Sequence, residues 1–305
     1  MKRYALILAG GKGTRMKSTL PKCIYPFYGK PMLSYIIDAC EKVGFDEIAL
    51  VVGHQREYMQ HMIPSHIQTY IQQEQLGTAH AVQCAADFYH QKEGILVIIP
   101  GDMPLVNQET LEQLLKYHLE KHNDLTVVST KLKQPRGYGR IIKSNHQIIK
   151  IVEEKDATPK EKSIQEINTG LYCIDIPILR KNIQHIQNQN ASHEYYLTDL
   201  VAQLVGKYKV DSYLLANPFF VQGINDLSAL SQLEKLYQKK INQQHMKNGV
   251  HLILPDTIII EDTVTIESGA TIDAFSILRG KTHILSQTYL PPYSYIVDNE
   301  KQKID

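Results

Sequence analysis

From position 254 onward, Leu254, Ile260, Ile266, Ile272, Leu278, Ile284, Leu290 and Ile296 follow one another at intervals of six without a miss. Two residues before most of these anchors stands a small or β-branched side chain: Ile258, Val264, Ala270, Ser276, Thr282, Thr288 and Ser294. A strand that buries one face repeats every two residues and a helix about every 3.6, so neither period explains the pattern. Six-residue aliphatic periodicity is the signature of a parallel β-helix, in which three hexads make a turn and the anchors stack inside. The run predicts a short left-handed β-helix over 251–305 of fewer than three turns, and such a coil is a route to a homo-oligomer, a trimer in particular.

The first 227 residues obey a different rule. Apolar runs at Tyr4–Ala9, Glu47–Val52, His66–Ile71, Ile95–Ile99 and Leu125–Leu132 alternate with helical stretches over Pro31–Val43, Thr78–Phe88 and Gln108–His122. Strand–helix–strand alternation at this spacing predicts an α/β domain, a doubly wound, mostly parallel sheet with helices on both faces. Ligands of such sheets bind where loops leave the carboxyl ends of the strands. The stretch 133–222, with shorter strands at Arg140–Lys143, Ile148–Glu153 and Gly170–Ile174, reads as an insertion that widens the pocket. A polar helix from Ser228 to about Lys247 makes 228–250 a linker between the domain at 1–227 and the coil.

Composition narrows the setting. The formal charge is +1, from 33 Lys plus Arg against 32 Asp plus Glu, which gives no reason to expect a nucleic-acid or acidic-membrane partner, so phosphate-binding charge must be local. Cys23, Cys40, Cys84 and Cys173 form no C-x-x-C pair and mostly sit among apolar neighbours, as free thiols in a reducing compartment do. The apolar run at Tyr4–Ala9 is too short for a signal-peptide core, and no stretch approaches the ~18 apolar residues of a membrane span. A soluble, cytoplasmic protein is the expectation.

The strongest chemical signal follows the first strand: Leu8-Ala9-Gly10-Gly11-Lys12-Gly13-Thr14-Arg15-Met16, then Leu20-Pro21-Lys22. Three glycines in four positions let backbone N–H groups face an anion closely, as a phosphate cradle requires. Arg15 and Lys22 add two cations beside it, the arrangement that stabilises charge building up in phosphoryl or nucleotidyl transfer. A Rossmann fingerprint fails because Met16 stands where its third glycine belongs, and no Walker A loop is present. The plainer alternative is a tight turn with incidental cations.

Two further segments join it. In Ile98-Ile99-Pro100-Gly101-Asp102, a carboxylate ends a buried strand, where it suits Mg²⁺ held between protein and phosphates; a solvated turn before a helix is the plain alternative. Asn225, in Gly223-Ile224-Asn225-Asp226, offers a neutral amide oxygen to complete a sparse site. In Ile71-Gln72-Gln73-Glu74-Gln75-Leu76-Gly77-Thr78-Ala79-His80, Gln72 carries both donor and acceptor for a pyrimidine edge. Gly77 and Thr78 open a helix toward the same ligand, with helix capping by Thr78 as the alternative.

Taken with Gly137-Tyr138-Gly139-Arg140, Ile151–Ala157, Glu166-Ile167-Asn168-Thr169-Gly170 and Glu194–Asp199, these segments resemble the uridyltransferase half of the bacterial bifunctional N-acetylglucosamine-1-phosphate uridyltransferases over nearly the whole chain. The glycine loop alone marks only the wider sugar-nucleotidyltransferase superfamily; the ordered set is more specific. The resemblance implies a nucleotide-diphospho-sugar transferase fold, with UTP and N-acetylglucosamine 1-phosphate as substrates and Mg²⁺ as cofactor. It further implies that Leu8, Ala9, Gly10, Gly11, Gln72, Gly77 and Thr78 bind uridine and phosphates, and that Arg15 and Lys22 grip the triphosphate and the transferring phosphorus. Asp102 and Asn225 would hold Mg²⁺; Gly139, Glu153, Asn168, Thr198 and Asn225 would line the sugar site. Pro100 and Gly10 depart from the family, which has an aromatic and an alanine there.

Open alternatives are the same chemistry with another sugar 1-phosphate or nucleotide, and a non-catalytic UDP-sugar-binding regulator; a third makes the coil an acyltransferase. The short coil carries only His251 and His283 as histidines, so acetyl transfer is expected to be absent. His118 and His122 lie one helical turn apart without a third ligand nearby in sequence, and a solvated helix face is expected there.

Overall fold

A computed structural model describes residues 1–11, 13–53, 56–59 and 61–302; Lys12 of the glycine loop lies outside them. The chain divides into two compact units, Met1–Pro26 with Lys30–Asn225, and Phe27–Gly29 with Asp226–Asp305. Among the described residues no helix is long and apolar enough to cross a membrane, and all four cysteines are free thiols.

In the first unit the described residues build a nine-stranded sheet. Its strands are β1 (Arg3–Ala9), β2 (Glu47–Val52), β3 (Gln68–Ile71), β4 (Ile95–Pro100), β5 (Leu125–Lys131), β6 (Arg140–Ser144), β7 (Gln147–Val152), β8 (Glu166–Asp175) and β9 (Val210–Leu215). The order is β9-β5-β8-β4-β1-β2-β3, with the β6–β7 hairpin attached to β8. β1 pairs in parallel with β2 and β4, β2 with β3, and β5 with β9.

Alternation along β1 explains the two layers. Ala5, Ile7 and Ala9 enter one core with Leu33 and Ile36 of α1 (Met32–Val43) and Leu111 and Leu114 of the helix Gln108–Glu120. Tyr4 and Leu6 enter the other, with Ala79 and Val82 of α2 (Thr78–Cys84) and Leu200 and Val201. Helices therefore cover both faces, and the doubly wound α/β class stands.

The structure departs from the sequence reading in four places. β8 is antiparallel to both β4 and β5; Gly170–Ile174 belongs to a ten-residue strand inside the sheet, not to an insertion. Its register shifts between Asn168 and Tyr172, and Gly170 there has φ +85°, an irregularity that broke the strand signal. The helical stretch from Thr78 ends at Cys84 and resumes as a short turn over Ala86–Tyr89. His118 is 1% exposed, with Nδ1 2.9 Å from Thr126 Oγ1 and Nε2 3.2 Å from Asp175 Oδ1; only His122 occupies a solvated position.

The fourth departure lies in the second unit. Its strands stack as parallel ladders whose partners lie eighteen residues apart: Ile260 with Leu278 with Ile296, Ile266 with Ile284, and Ile272 with Leu290. That spacing is three hexads per turn, as the repeat predicts, and Val264, Ala270 and Leu278 pack in its core. Leu254 is not an inner anchor. It is 61% exposed with φ +52°, whereas Leu252 is 5% exposed and pairs with Ile272 twenty residues on. The turn Pro255–Thr257 takes up the two extra residues.

The helix Leu227–Lys247, read from the sequence as a linker, groups with the coil. Ile241 packs on its core, and Asn242 Nδ2 donates to the carbonyls of Pro255 (2.7 Å) and Ile258 (2.9 Å). The two-residue offset sets a direct contrast. Leu252→Ala is expected to destabilise the chain by about 2–5 kcal/mol and Leu254→Ala by less than about 0.5 kcal/mol, measured by urea unfolding; equal losses would refute the offset register.

Candidate active-site cleft

From β1 the chain moves to β2 and β3 on one side, then returns to β4 on the other. This reversal opens a crevice between the carboxyl ends of β1 and β4, the position where doubly wound sheets take ligands. A cleft of ≈ 710 Å³ lies there, and every site residue expected from the sequence lines it. Gly101 N donates to Leu8 O at 2.8 Å, tying the turn that carries Asp102 to the strand that carries the glycine loop.

At one end of the cleft the loop folds back on itself. Gly13 has φ +58°, and a Cβ there would lie 2.6 Å from Cβ of Lys22, so glycine is what lets Lys22 tuck beneath the loop. Met16 N donates to Gly13 O at 2.9 Å, closing the turn Thr14–Met16 that carries exposed Arg15. Lys22 Nζ pairs with Asp102 and donates to Asn225 Oδ1 at 2.9 Å. Arg15 Nη2 donates to the same Asn225 oxygen at 3.0 Å. Asn225 is delivered by its neighbour, since Ile224 N donates to Asp102 O at 2.9 Å.

Because one ammonium touches both Asp102 and Asn225, a carboxylate and a neutral amide oxygen converge on a single point. Both are hard donors, suited to a divalent cation that takes its remaining ligands from phosphates and water. Among the described residues no group of three or more His, Cys, Asp and Glu could hold a metal, so the protein's own donor set is sparse. Cys23 also lines the cleft, but burial pushes its thiol up to about 12. It is protonated at neutral pH and is no nucleophile.

Along the β3 side, Gln72 is buried and its Nε2 donates to Gly77 O at 3.0 Å. Thr78 does not cap its helix. Gly77 is the N-cap without a side-chain bond, and Thr78 Oγ1 accepts from Leu197 N at 2.9 Å.

The far end is built from β6, β7 and β8. Asn168 N donates to Gly139 O at 2.9 Å, and the Asn168 amide is held by Gly170 N (3.1 Å) and the Tyr172 hydroxyl (2.7 Å). Thr198 Oγ1 donates to Glu153 Oε1 at 3.2 Å. Burial raises the Glu153 carboxyl above the ordinary range; the Thr198 bond opposes this, and Asp199, Asp156 and Glu194 add to it.

Reading the sequence residue by residue misses part of this wall. Tyr138, Thr169, Tyr172, Glu194 and Leu197 also line the cleft. Arg140, 2% exposed, donates to Tyr138 O and pairs with Glu154 at 2.7 Å, bracing the segment that ends at Gly139. Clustered motifs mark the neighbourhood of these residues; nothing in their type marks the side chains themselves.

Fold and cleft together describe an α/β protein whose cleft suits an anionic ligand, and comparison with known proteins gives its class. A model of the family described as nucleotidyl transferase matches residues 4–240, and the chain belongs to that family. Similar proteins include the bifunctional protein GlmU of Acholeplasma laidlawii, 42% identical over 258 residues, covering 84% of this chain and 56% of the relative. The protein of the same name from Listeria monocytogenes serotype 4a is 40% identical over 305 residues, covering 98% of this chain and 66% of the relative. That of Caldanaerobacter subterraneus subsp. tengcongensis is 40% identical over 296 residues, covering 97% and 65%. The chain thus spans less than two thirds of the length of these relatives.

Glu153 gives a pH test. Its folded pKa lies above the unfolded one, so its contribution to stability is present at acid pH and lost as pH rises through the folded value. Glu153→Gln keeps an acceptor for Thr198 and removes the ionisation. The variant is expected to be more stable than the parent at pH 7, with the difference shrinking below the ordinary glutamate range near ~4.3. Melting temperatures at both pH values check this; a pH-independent difference would contradict it.

Proposed function

We propose that this chain transfers UMP from UTP to N-acetylglucosamine 1-phosphate, forming UDP-N-acetylglucosamine and pyrophosphate, with Mg²⁺ as cofactor. The observation that carries the reading is the convergence of Lys22, Asp102, Asn225 and Arg15 beside the glycine loop, in one cleft with Glu153, Thr198 and Asn168. Family membership and relatives that share one name support it.

In this reading an oxygen of the sugar phosphate attacks the α-phosphorus of UTP in line. The new O–P bond forms as the bond from the α-phosphorus to its bridging oxygen breaks, and pyrophosphate leaves with that electron pair. The attacking oxygen is already anionic, so no protein base or nucleophile is needed. Lys22 and Arg15 hold triphosphate oxygens and stabilise the charge that develops on them. Asp102 and Asn225 would hold Mg²⁺, which would supply further neutralisation of the phosphate charge. Glu153 accepts from sugar hydroxyls, while Asn168, Gly139 and Thr198 shape the N-acetyl end. Backbone N–H groups of Gly10 and Gly11 face phosphate, and Gln72, Gly77 and Thr78 take the base.

A panel of nucleoside triphosphates and sugar 1-phosphates, read by pyrophosphate release, tests the reading; a clear preference for another pair would replace it. Arg15→Ala is expected to lower kcat by two to three orders of magnitude, the loss of about 3–4 kcal/mol of transition-state stabilisation, with a small change in KM. Lys22→Ala should also raise the KM for UTP. Wild-type kinetics in both would remove the glycine loop as the phosphate site. Asp102→Asn should weaken Mn²⁺ binding in the presence of UTP as well as turnover, and unchanged activity at limiting Mg²⁺ would sink the metal assignment.

A further inference from the structure

Gln72 is 4% exposed at the wall of the cleft, its backbone N bound to Val52 O at 2.8 Å. The orientation of its side-chain amide follows from its partners. Nε2 lies 3.0 Å from Gly77 O, an atom that only accepts, so the nitrogen must face that way. The same nitrogen lies 3.2 Å from His80 Nδ1. A Gln amide has two N–H donors; one goes to Gly77 O, and the second requires a lone pair on Nδ1. The ring proton of neutral His80 then sits on Nε2, 3.7 Å from Cys84 Sγ, a weak acceptor. Both donors of Gln72 are spent on its support. Its remaining group, Oε1, lies over Gly10, where a Cβ would come within 2.6 Å of it.

Resting on the proposed uridyl transfer, we infer that His80 locks Gln72 as an acceptor toward the base and thereby selects a pyrimidine whose N3 carries a proton. Uracil offers N3–H to Oε1. Cytosine, of nearly the same size, presents a lone pair at N3, and two acceptors would then oppose each other in a buried wall. His80 is not among the described residues that line the cleft, so it acts through Gln72 and is a positioning residue. Gly10 serves the same end by leaving room for Oε1 beside the phosphate loop.

The test compares kcat/KM for UTP and CTP in the parent, His80→Leu and His80→Gln. Leucine removes one of the two acceptors that hold the amide, leaving Gly77 O alone against a flip and one Gln72 N–H without a partner in a buried wall, so the UTP:CTP ratio should fall about tenfold. Glutamine restores a carbonyl acceptor and should keep the ratio near the parent's. Simple damage to packing lowers both nucleotides together; an unchanged ratio in His80→Leu, or a parent indifferent to the base, overturns the inference while leaving nucleotidyl transfer intact. A parent inactive with every nucleotide overturns uridyl transfer instead. The lock is then still read in the parent protein by ¹⁵N spectra of its histidines, which also serve if the leucine variant fails to fold. An Nε2-protonated, Nδ1-bare His80 is the expected result, and an Nδ1–H tautomer overturns the lock.

Discussion

The parallel pairing of β1 with its two neighbours is the constraint on which the site depends. In that register Leu8 faces Val51 across one ladder and Pro100 across the other, so three strands end side by side. Their exits must then share one small volume. Gly53 follows β2, and a Cβ there would sit 2.2 Å from Gly10 O, so only glycine permits this approach. On the other side, the bond from Gly101 N to Leu8 O holds Asp102 against the glycine loop. Ile224 then binds Asp102 O and brings Asn225 from a segment more than a hundred residues later. Each functional group is thus placed by backbone already fixed by the sheet, and a carboxylate, an amide and two cations meet without any of them having to order a loop alone.

Much of this was legible because its signals are local. Buried parallel strands are short apolar runs, and a glycine cluster after the first of them marks a place where backbone comes close, as Gly13 does to Lys22. The hexad repeat identified the β-helix by period alone. What the sequence hid depends on partners far along the chain. His118 looked like a surface histidine by helical spacing, yet Thr126 and Asp175 meet it from two different strands. β8 runs antiparallel inside a parallel sheet, and neither its direction nor its bulge leaves a mark in hydropathy. Leu254 keeps the hexad rhythm and still points outward, because two residues inserted before the second anchor put Leu252 in its place. Periodicity reports which residues could stack; only the closed turn decides where the count begins.

Within the cleft the wall residues divide by what they can recognise. Lys22, Arg15 and the backbone of the glycine loop present positive charge and N–H groups at the β1–β4 end. At the β7–β8 end the groups are neutral or acidic: the Asn168 amide, the Tyr172 and Thr198 hydroxyls, and Glu153. Asp102, although acidic, belongs to the cationic end because Lys22 neutralises it. Glu153 accepts instead from the Thr198 hydroxyl; burial raises its pKa, and three further carboxylates add to the rise.

This difference between two carboxylates in one cleft favours one direction for the proposed substrate. A phosphate placed near Glu153 would meet a carboxyl with Asp199, Asp156 and Glu194 already around it, and its repulsion in a partly desolvated wall would be weakly screened. In the proposed reaction, phosphates turned the other way would meet Lys22 and Arg15, and a ring bearing hydroxyls would meet Glu153, which its hydroxyls could satisfy as donors. On the proposed function, charge would order the ligand end to end before shape does, and the one part left to hydrogen-bond direction would be the base. That part would face Gln72, whose amide nitrogen is already engaged by Gly77 and His80, so the contact proposed to discriminate the base would be set by residues standing behind it.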